Sequence, residues 1–272
     1  MESATLTNRA ETKAETKAVN YDQVLKVVLT LGHDLLFDGA ETHRVEDSCE
    51  RVLQAYGCPT YDVYALANYL SISFTDRVGN SYVGQKRLHS RGENLHKLAK
   101  LNSISRQIVS DKLGPEVALA KIEAIAAEAP YSLLVRILGT GLIGFSFTLL
   151  IGGGLASACY AFCLDLLLRI LLEPLYRLQV NRIFINILGG MGVNLLTLPA
   201  FMLGLGGQAN LIATGAFMFM FPGLALVNSI RDIMTSDYLA GLTKLVESLL
   251  VAISIAIGSG LSLSLFDYLN WI

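Results

Sequence analysis

The chain has 272 residues, a formal net charge of −2 and 53% hydrophobic residues. That length allows one or two domains. A near-neutral balance, with no basic cluster and no aromatics interleaved with Lys or Arg, argues against nucleic-acid binding.

The charges are unevenly placed. Of the 44 Asp, Glu, Lys and Arg residues, 32 lie in residues 1–130 and only 12 in residues 131–272. The second part is too apolar for a soluble domain of its size. The expected fold class is therefore an α-helical polytopic membrane protein with about five transmembrane helices, preceded by a small α+β cytoplasmic domain.

In chain order, residues 1–19 are polar, lack the apolar core of a signal peptide and are expected to form a disordered tail. The cytoplasmic domain is expected over 20–130. Residues 21–37 and 40–56 carry apolar side chains at helical spacing, and Asp38-Gly39 between them is a helix-stop signal. Strands are predicted at 60–66, 69–76 and 80–88, with a tight turn at Val78-Gly79-Asn80. Helices follow at 93–112 and 116–128, split by Leu113-Gly114-Pro115.

The transmembrane domain, 131–272, divides into five apolar stretches at 133–151, 155–173, 183–205, 208–228 and 245–266. Each is long enough, or nearly so, to cross a hydrocarbon core of about 30 Å. Gly152-Gly153-Gly154 and the stretch from Gly204 to Gln208 form the short connections. The Lys and Arg of this half (Arg136, Arg169, Arg177, Arg182, Arg231 and Lys244) all fall on one side if the first domain is cytoplasmic. That predicts an inner-membrane protein with its N-terminus inside and its C-terminus, with Tyr268 and Trp271, outside. Small residues in GTGLIG (139–144), GGMG (189–192) and GSG (258–260) imply close helix packing.

Two stretches carry candidate functional residues. In GAETHRVED (39–47), Glu41 and Arg44 are three apart and can pair on one helical face, with Glu46 beyond them. A solvated face with a local ion pair is the plainer reading. His43 with Glu46 and Asp47 has the spacing of metal ligands, but no second His lies on that turn. In FPGLALVNSIRDIMTSDYLAGLTK (221–244), Pro222 and Gly223 break an apolar run, and Asn228, Arg231, Asp232 and Asp237 follow. Broken helices with adjacent polar groups build many transporter sites; a cytoplasmic loop after a kinked helix is the alternative. Asp165, Arg169 and Glu173 are spaced for an ion-pair ladder, and Glu247 could join Asp232 and Asp237 in an acidic cluster. The four cysteines form no C-x-x-C pair, so no metal, disulfide or other cofactor is expected. No hydrolase signature is present either, and the chain reads as a non-enzyme.

These two stretches resemble the signatures of the threonine/serine exporter family: G-A-E-T-x-R-V-E, and P-G, N, I-R-D, G-D-Y and S-G-x-x-R-x-x-E. Gly39, Glu41, Arg44 and Glu46 match the first, with His43 at its variable position. Pro222, Gly223, Asn228, Arg231, Asp232, Asp237, Tyr238, Gly241 and Glu247 match the second. Ser236 stands where Gly is usual, Ala240 where Ser is common and Lys244 where Arg is usual. The resemblance covers about residues 20–265. It implies a transporter for a small carboxylate or amino-acid substrate, either threonine and serine or, as in the family's split two-component form, succinate. With five spans, the chain resembles the larger subunit of that split form, which works with a small membrane protein supplying the second half. A homo-oligomer is left open. The remaining alternatives are a membrane-anchored hydrolase and a non-transporting regulatory or assembly subunit.

Overall fold

The computed structural model describes residues 19–89, 92–204 and 208–270. Trp271, residues 205–207 of the glycine-rich connection and all but the last residue of the expected tail lie outside these. The chain forms two compact units. The first comprises the residues up to Glu128 together with Asn228–Thr243, and the second comprises Ala129–Val227 with Lys244 onward.

In the first unit, α1 (Tyr21–Phe37) starts where the Asn20 side chain accepts from the backbone N–H of Asp22 and Gln23. Its fully buried Val24, Val27, Val28, Leu31 and Leu35 follow the helical period. It ends in a Schellman cap: Gly39, at φ +95°, donates to Leu36, and Ala40 donates to Leu35. Helix α2 (Thr42–Ala55) follows at once. Strands β1 (Tyr61–Leu66), β2 (Tyr69–Thr75) and β3 (Ser81–Arg87) form an antiparallel sheet in the order β1-β2-β3. Tyr61 pairs with Phe74, and Ile72 with Gly84. The central strand buries Leu70, Ile72 and Phe74 on one face, as its alternating sequence requires. Helices α3 (Leu95–Ser110) and α4 (Pro115–Ala126) complete the core through Leu101, Ile108, Ala118 and Ile122. Each predicted element is present, with ends shifted by no more than two residues.

The second unit holds α5 (Leu133–Leu150), α6 (Leu155–Arg177), α7 (Arg182–Thr197), the single turn α8 (Pro199–Met202) and α9 (Ala209–Phe217). Helices α10 (Gly223–Met234) and α11 (Tyr238–Asn270) are each shared between the two units. Among the described residues, three helices are long and apolar enough to cross a membrane: Leu133–Leu150, Leu155–Arg177 and Tyr238–Phe266. They correspond to the first, second and fifth predicted stretches. The third and fourth are made of shorter pieces: Pro199 lacks the N–H that would continue α7, and α9 gives way after Phe217 to tight i→i+3 turns that run up to Pro222. Beyond Pro222, α10 also runs through residues expected to be a polar loop. The protein is thus a multi-pass helical membrane protein with a small three-stranded sheet.

Small residues pack this unit tightly. A Cβ on Gly190 would overlap the Ile255 carbonyl, and one on Gly258 would overlap the Ile187 carbonyl, so α7 and α11 touch backbone to backbone. Asn194 ties the same helices, donating to the Ser259 carbonyl at 3.1 Å and to the Ser262 hydroxyl at 3.1 Å. On α6, Glu173 receives Arg136 at 3.1 Å, Arg169 at 2.9 Å and Arg177 at 3.3 Å. The expected ladder therefore forms only in its second half. Asp165 is buried, against Gly144 of α5.

Candidate functional site

The two signature stretches, some 190 residues apart in sequence, meet within the first unit. On the last turns of α10, Asn228, Arg231 and Asp232 stand at i, i+3 and i+4, which places them on one helical face. That face meets the corner between α1 and α2. Asn228 Nδ2 donates to the Gly39 carbonyl at 3.2 Å. Arg231 Nη1 pairs with Glu41 Oε1. The Thr42 hydroxyl donates to Asp232 Oδ2 at 3.1 Å, and both residues are fully buried.

Local chemistry at each end prepares these contacts. The Schellman cap turns the chain sharply at Gly39 and leaves its carbonyl pointing outward for Asn228. Glu41 occupies the N-cap position of α2, yet its carboxylate makes no capping bond. It reaches Arg231 instead, with His43 Nε2 at 3.6 Å from its other oxygen. Helix α10 ends in a second Schellman cap: Ser236, at φ +73°, donates to Ile233, and Asp237 donates to Asp232 at 2.8 Å. This turns Asp237 back toward α2.

Glu46 is the third carboxylate of the region. Its Oε1 accepts from the Ala65 N–H at 2.8 Å. Burial raises its pKa to about 7; the Ala65 bond opposes the rise, and the nearby charges of Asp237, Glu50 and Asp62 add to it. Ala65, Tyr64 and Leu66 of β1 and residues 236–240 line a cavity of about 280 Å³ beside this carboxylate. His43, Asp232 and Asp237 bring a nitrogen and two carboxylate oxygens within 4.8 Å of one another, a donor set suited to a divalent cation. The predicted grouping of His43 with Asp47 is not the one formed, because Asp47 pairs with Arg51 at 2.9 Å.

The structure therefore gathers Gly39, Glu41, Glu46, Asn228, Arg231, Asp232 and Asp237 into one polar centre. Arg44 is exposed, and the suggested pairing with Glu41 gives way to the Arg231 contact. Pro222, Gly223, Asp165 and Glu247 belong to the second unit. Thr42 was missed as a functional residue, although it sits inside the quoted motif: its only local signature is that of a helix start. The acceptor role of the Gly39 carbonyl has no signature in sequence at all.

The threonine/serine exporter family model matches residues 26–266. A threonine/serine exporter of Corynebacterium glutamicum is 25% identical over 258 residues, covering 91% of this chain and 52% of that protein. A "Probable threonine/serine exporter" of Mycobacterium tuberculosis is 22% identical over 257 residues, covering 94% of this chain and 48% of that protein. The chain thus spans about half the length of the curated relatives it matches. No solved structure matches. With both signature stretches assembled in one unit and the family match running from the first helix into the last, the chain belongs to the threonine/serine exporter family.

Proposed function

We propose that the chain is one component of an inner-membrane exporter for a small carboxylate metabolite, threonine and serine or a dicarboxylate such as succinate. In this reading a small membrane protein supplies the remaining half of the transporter. The first unit is cytoplasmic, with the N-terminus inside and the C-terminus outside. Family membership supports the transport reading.

The observation that carries the mechanism is the Arg231–Glu41 pair. The Arg231 side chain is 53% exposed, whereas that of Glu41 is 10% exposed, so a carboxylate from solution has access to the guanidinium. An incoming substrate carboxylate competes with Glu41 for Arg231, because both present the same two-oxygen acceptor. Exchange would loosen the α1–α2 corner from α10 and open this cytoplasmic gate. Asp232 and Asp237, with Glu247 in the second unit, accept the coupling proton or the ammonium group of an amino acid. Glu46, which titrates near neutrality, is suited to proton exchange at the same place. Pro222 and Gly223 start the helix that presents these groups, and Asp165 is a further proton site along the membrane path.

The test is efflux of labelled succinate and labelled threonine from preloaded cells, with the chain expressed alone and with a candidate small membrane partner. Efflux that needs both chains is the expected result, and the substrate that leaves assigns the specificity. Arg231→Ala should abolish that efflux while membrane insertion is retained. Unchanged efflux in this variant would remove Arg231 from the path.

A further inference from the structure

A separate cavity in the first unit shares no residue with the motif centre. It lies where the end of α1 meets the first two turns of α3 and the end of α4, and its volume is about 180 Å³. At about 30 Å³ per water molecule, that is room for roughly six waters or for one small metabolite.

Four polar side chains set its chemistry: His33, Asp34, Asp38 and Lys97. Asp34 and Asp38 stand four residues apart at the C-terminal end of α1 and share one face. Negative charge is unfavourable at that end of a helix, and the last turn of α1 carries no basic residue to offset it. Ile125 and Ala126 bring the C-terminal end of α4 to the same cavity. His33 Nδ1 meets Asp34 Oδ1 at 2.8 Å, while Asp34 Oδ2 is sealed from solvent and contributes its charge alone. Asp38 differs. It is 5% exposed, and its carboxylate makes no hydrogen bond or ion pair among the described residues. A buried carboxylate is normally paired or hydrogen-bonded, so this one points to a donor inside the cavity it lines. Burial raises its pKa to about 6; the Lys97 charge opposes the rise and that of Asp34 adds to it. Lys97 does not complete the pairing, because its Nζ donates to the Ala126 carbonyl at 2.7 Å. Two carboxylates therefore face one committed ammonium.

We propose that this cavity binds the ammonium group of a small primary amine. The ammonium donates to the Asp38 carboxylate from inside the cavity, and the Asp34 charge and the two helix ends add attraction. A metal ion is a poorer match: among the described residues, the donors that converge closely enough for one are those of His43, Asp232 and Asp237. Phe37, Leu101 and Ile125 supply an apolar wall for a short carbon chain. The same ammonium chemistry could come from a simple amine or from a zwitterionic amino acid, whose carboxylate would take a second donor of Lys97.

The experiment is calorimetric titration of the purified full chain in detergent at pH 8, where Asp38 is ionised, with 1-amino-2-propanol, with threonine and with succinate, which has no ammonium group. Saturable binding of 1-amino-2-propanol, which is threonine without its carboxylate, is the expected result, and succinate should not displace it. Asp38→Asn should weaken it by about tenfold or more. The Asp38 side chain bonds to nothing in the fold, so this variant should keep its melting temperature. Ala126→Leu narrows the cavity and leaves every charge in place; it should weaken binding too, and it decides the matter if Asp38→Asn does not fold. Threonine binding that is lost in Asp38→Asn and weakened in Lys97→Gln would support the site and assign it to amino acids. Binding of 1-amino-2-propanol but not of threonine, with the same loss in Asp38→Asn, would support it and assign it to simple amines. No saturable binding of either amine, displacement by succinate, or binding that both cavity variants leave intact would overturn the proposal. Binding is read without transport, so the outcome is independent of the exporter reading.

Discussion

Two buried carboxylates, Glu41 in the first unit and Glu173 in the second, meet arginine in opposite ways. Glu173 is held by Arg136, Arg169 and Arg177, and two of these lie four residues from it on its own helix. Glu41 meets Arg231, from a segment 190 residues away, and shares its surroundings with three further carboxylates: Glu46, Asp232 and Asp237. Around Glu173 cations outnumber the carboxylate; around Glu41 carboxylates outnumber the guanidinium. The first arrangement fixes a helix in place. The second joins two distant segments through a half-exposed guanidinium, which gives the proposed substrate carboxylate access to it.

Removing a carboxylate or its cation tests this contrast. Glu173→Gln should be the more damaging change: Arg169, whose side chain is 13% exposed, would remain with no neutralising charge. Leaving a buried charge uncompensated costs about 3 kcal/mol. The expected readout is a marked loss of folded protein and of melting temperature in detergent. Arg231→Ala should cost less, about 2 kcal/mol, because half of the lost guanidinium is already in water. A double-mutant cycle with Glu41→Gln should return a coupling of about 1 kcal/mol or more. Coupling near zero would mean that the pair is incidental, and the gate would lose its basis.

Glu46 sharpens the contrast through pH. Its pKa is raised to about 7 by burial, by more than the Ala65 bond lowers it. The folded state therefore binds the proton more tightly than the unfolded chain does. The stability this confers is fully present below the unfolded value of about 4.5 and is lost as pH rises through about 7. Glu46→Gln keeps an oxygen for the Ala65 N–H and removes the titration. The variant should then exceed wild type by on the order of 1 kcal/mol at pH 8, after allowance for solvent, and match it near pH 5. Equal melting curves at both pH values would place the Glu46 carboxylate in water.

Much of this architecture was legible in the sequence where the signal is local. The apolar period of α1, the alternation in β2 and the stop at Asp38-Gly39 depend on neighbours within a few residues, and each element is present where predicted. The Arg169–Glu173 pair was legible for the same reason. The motif centre was legible only as two separate stretches. Nothing in the spacing of Glu41 and Arg44 shows that Glu41 turns to Arg231, because that choice is made by tertiary packing. The third and fourth apolar stretches read as spans by length and composition, since a hydropathy pattern does not register the helix breaks at Pro199 and in the turns before Pro222.

The smallest expected effect concerns the two turns that bring the motifs together. Both are Schellman caps, but one uses Gly39 at φ +95° and the other Ser236 at φ +73°. Glycine adopts this region without a Cβ clash, whereas serine is strained there. This gives the physical reason for the glycine that the resemblance leads one to expect at position 236, and the departure to serine is a strained one. Ser236→Gly should therefore stabilise the first unit by about 0.5–1 kcal/mol, the relief of strain being partly offset by the greater freedom of glycine in the unfolded chain. Gly39→Ala should do the reverse, by about 1 kcal/mol, since a Cβ there would make only ordinary contacts, 3.7 Å to Glu93 Cγ and 3.8 Å to the Gly92 carbonyl, which leaves backbone strain as the main cost. Chemical denaturation of the two variants separates the outcomes. If Ser236→Gly stabilises the fold but slows efflux, then the strained cap takes part in opening the gate, because relaxing it would hold α10 against the α1–α2 corner. If efflux is unchanged, the two caps serve only to set the geometry.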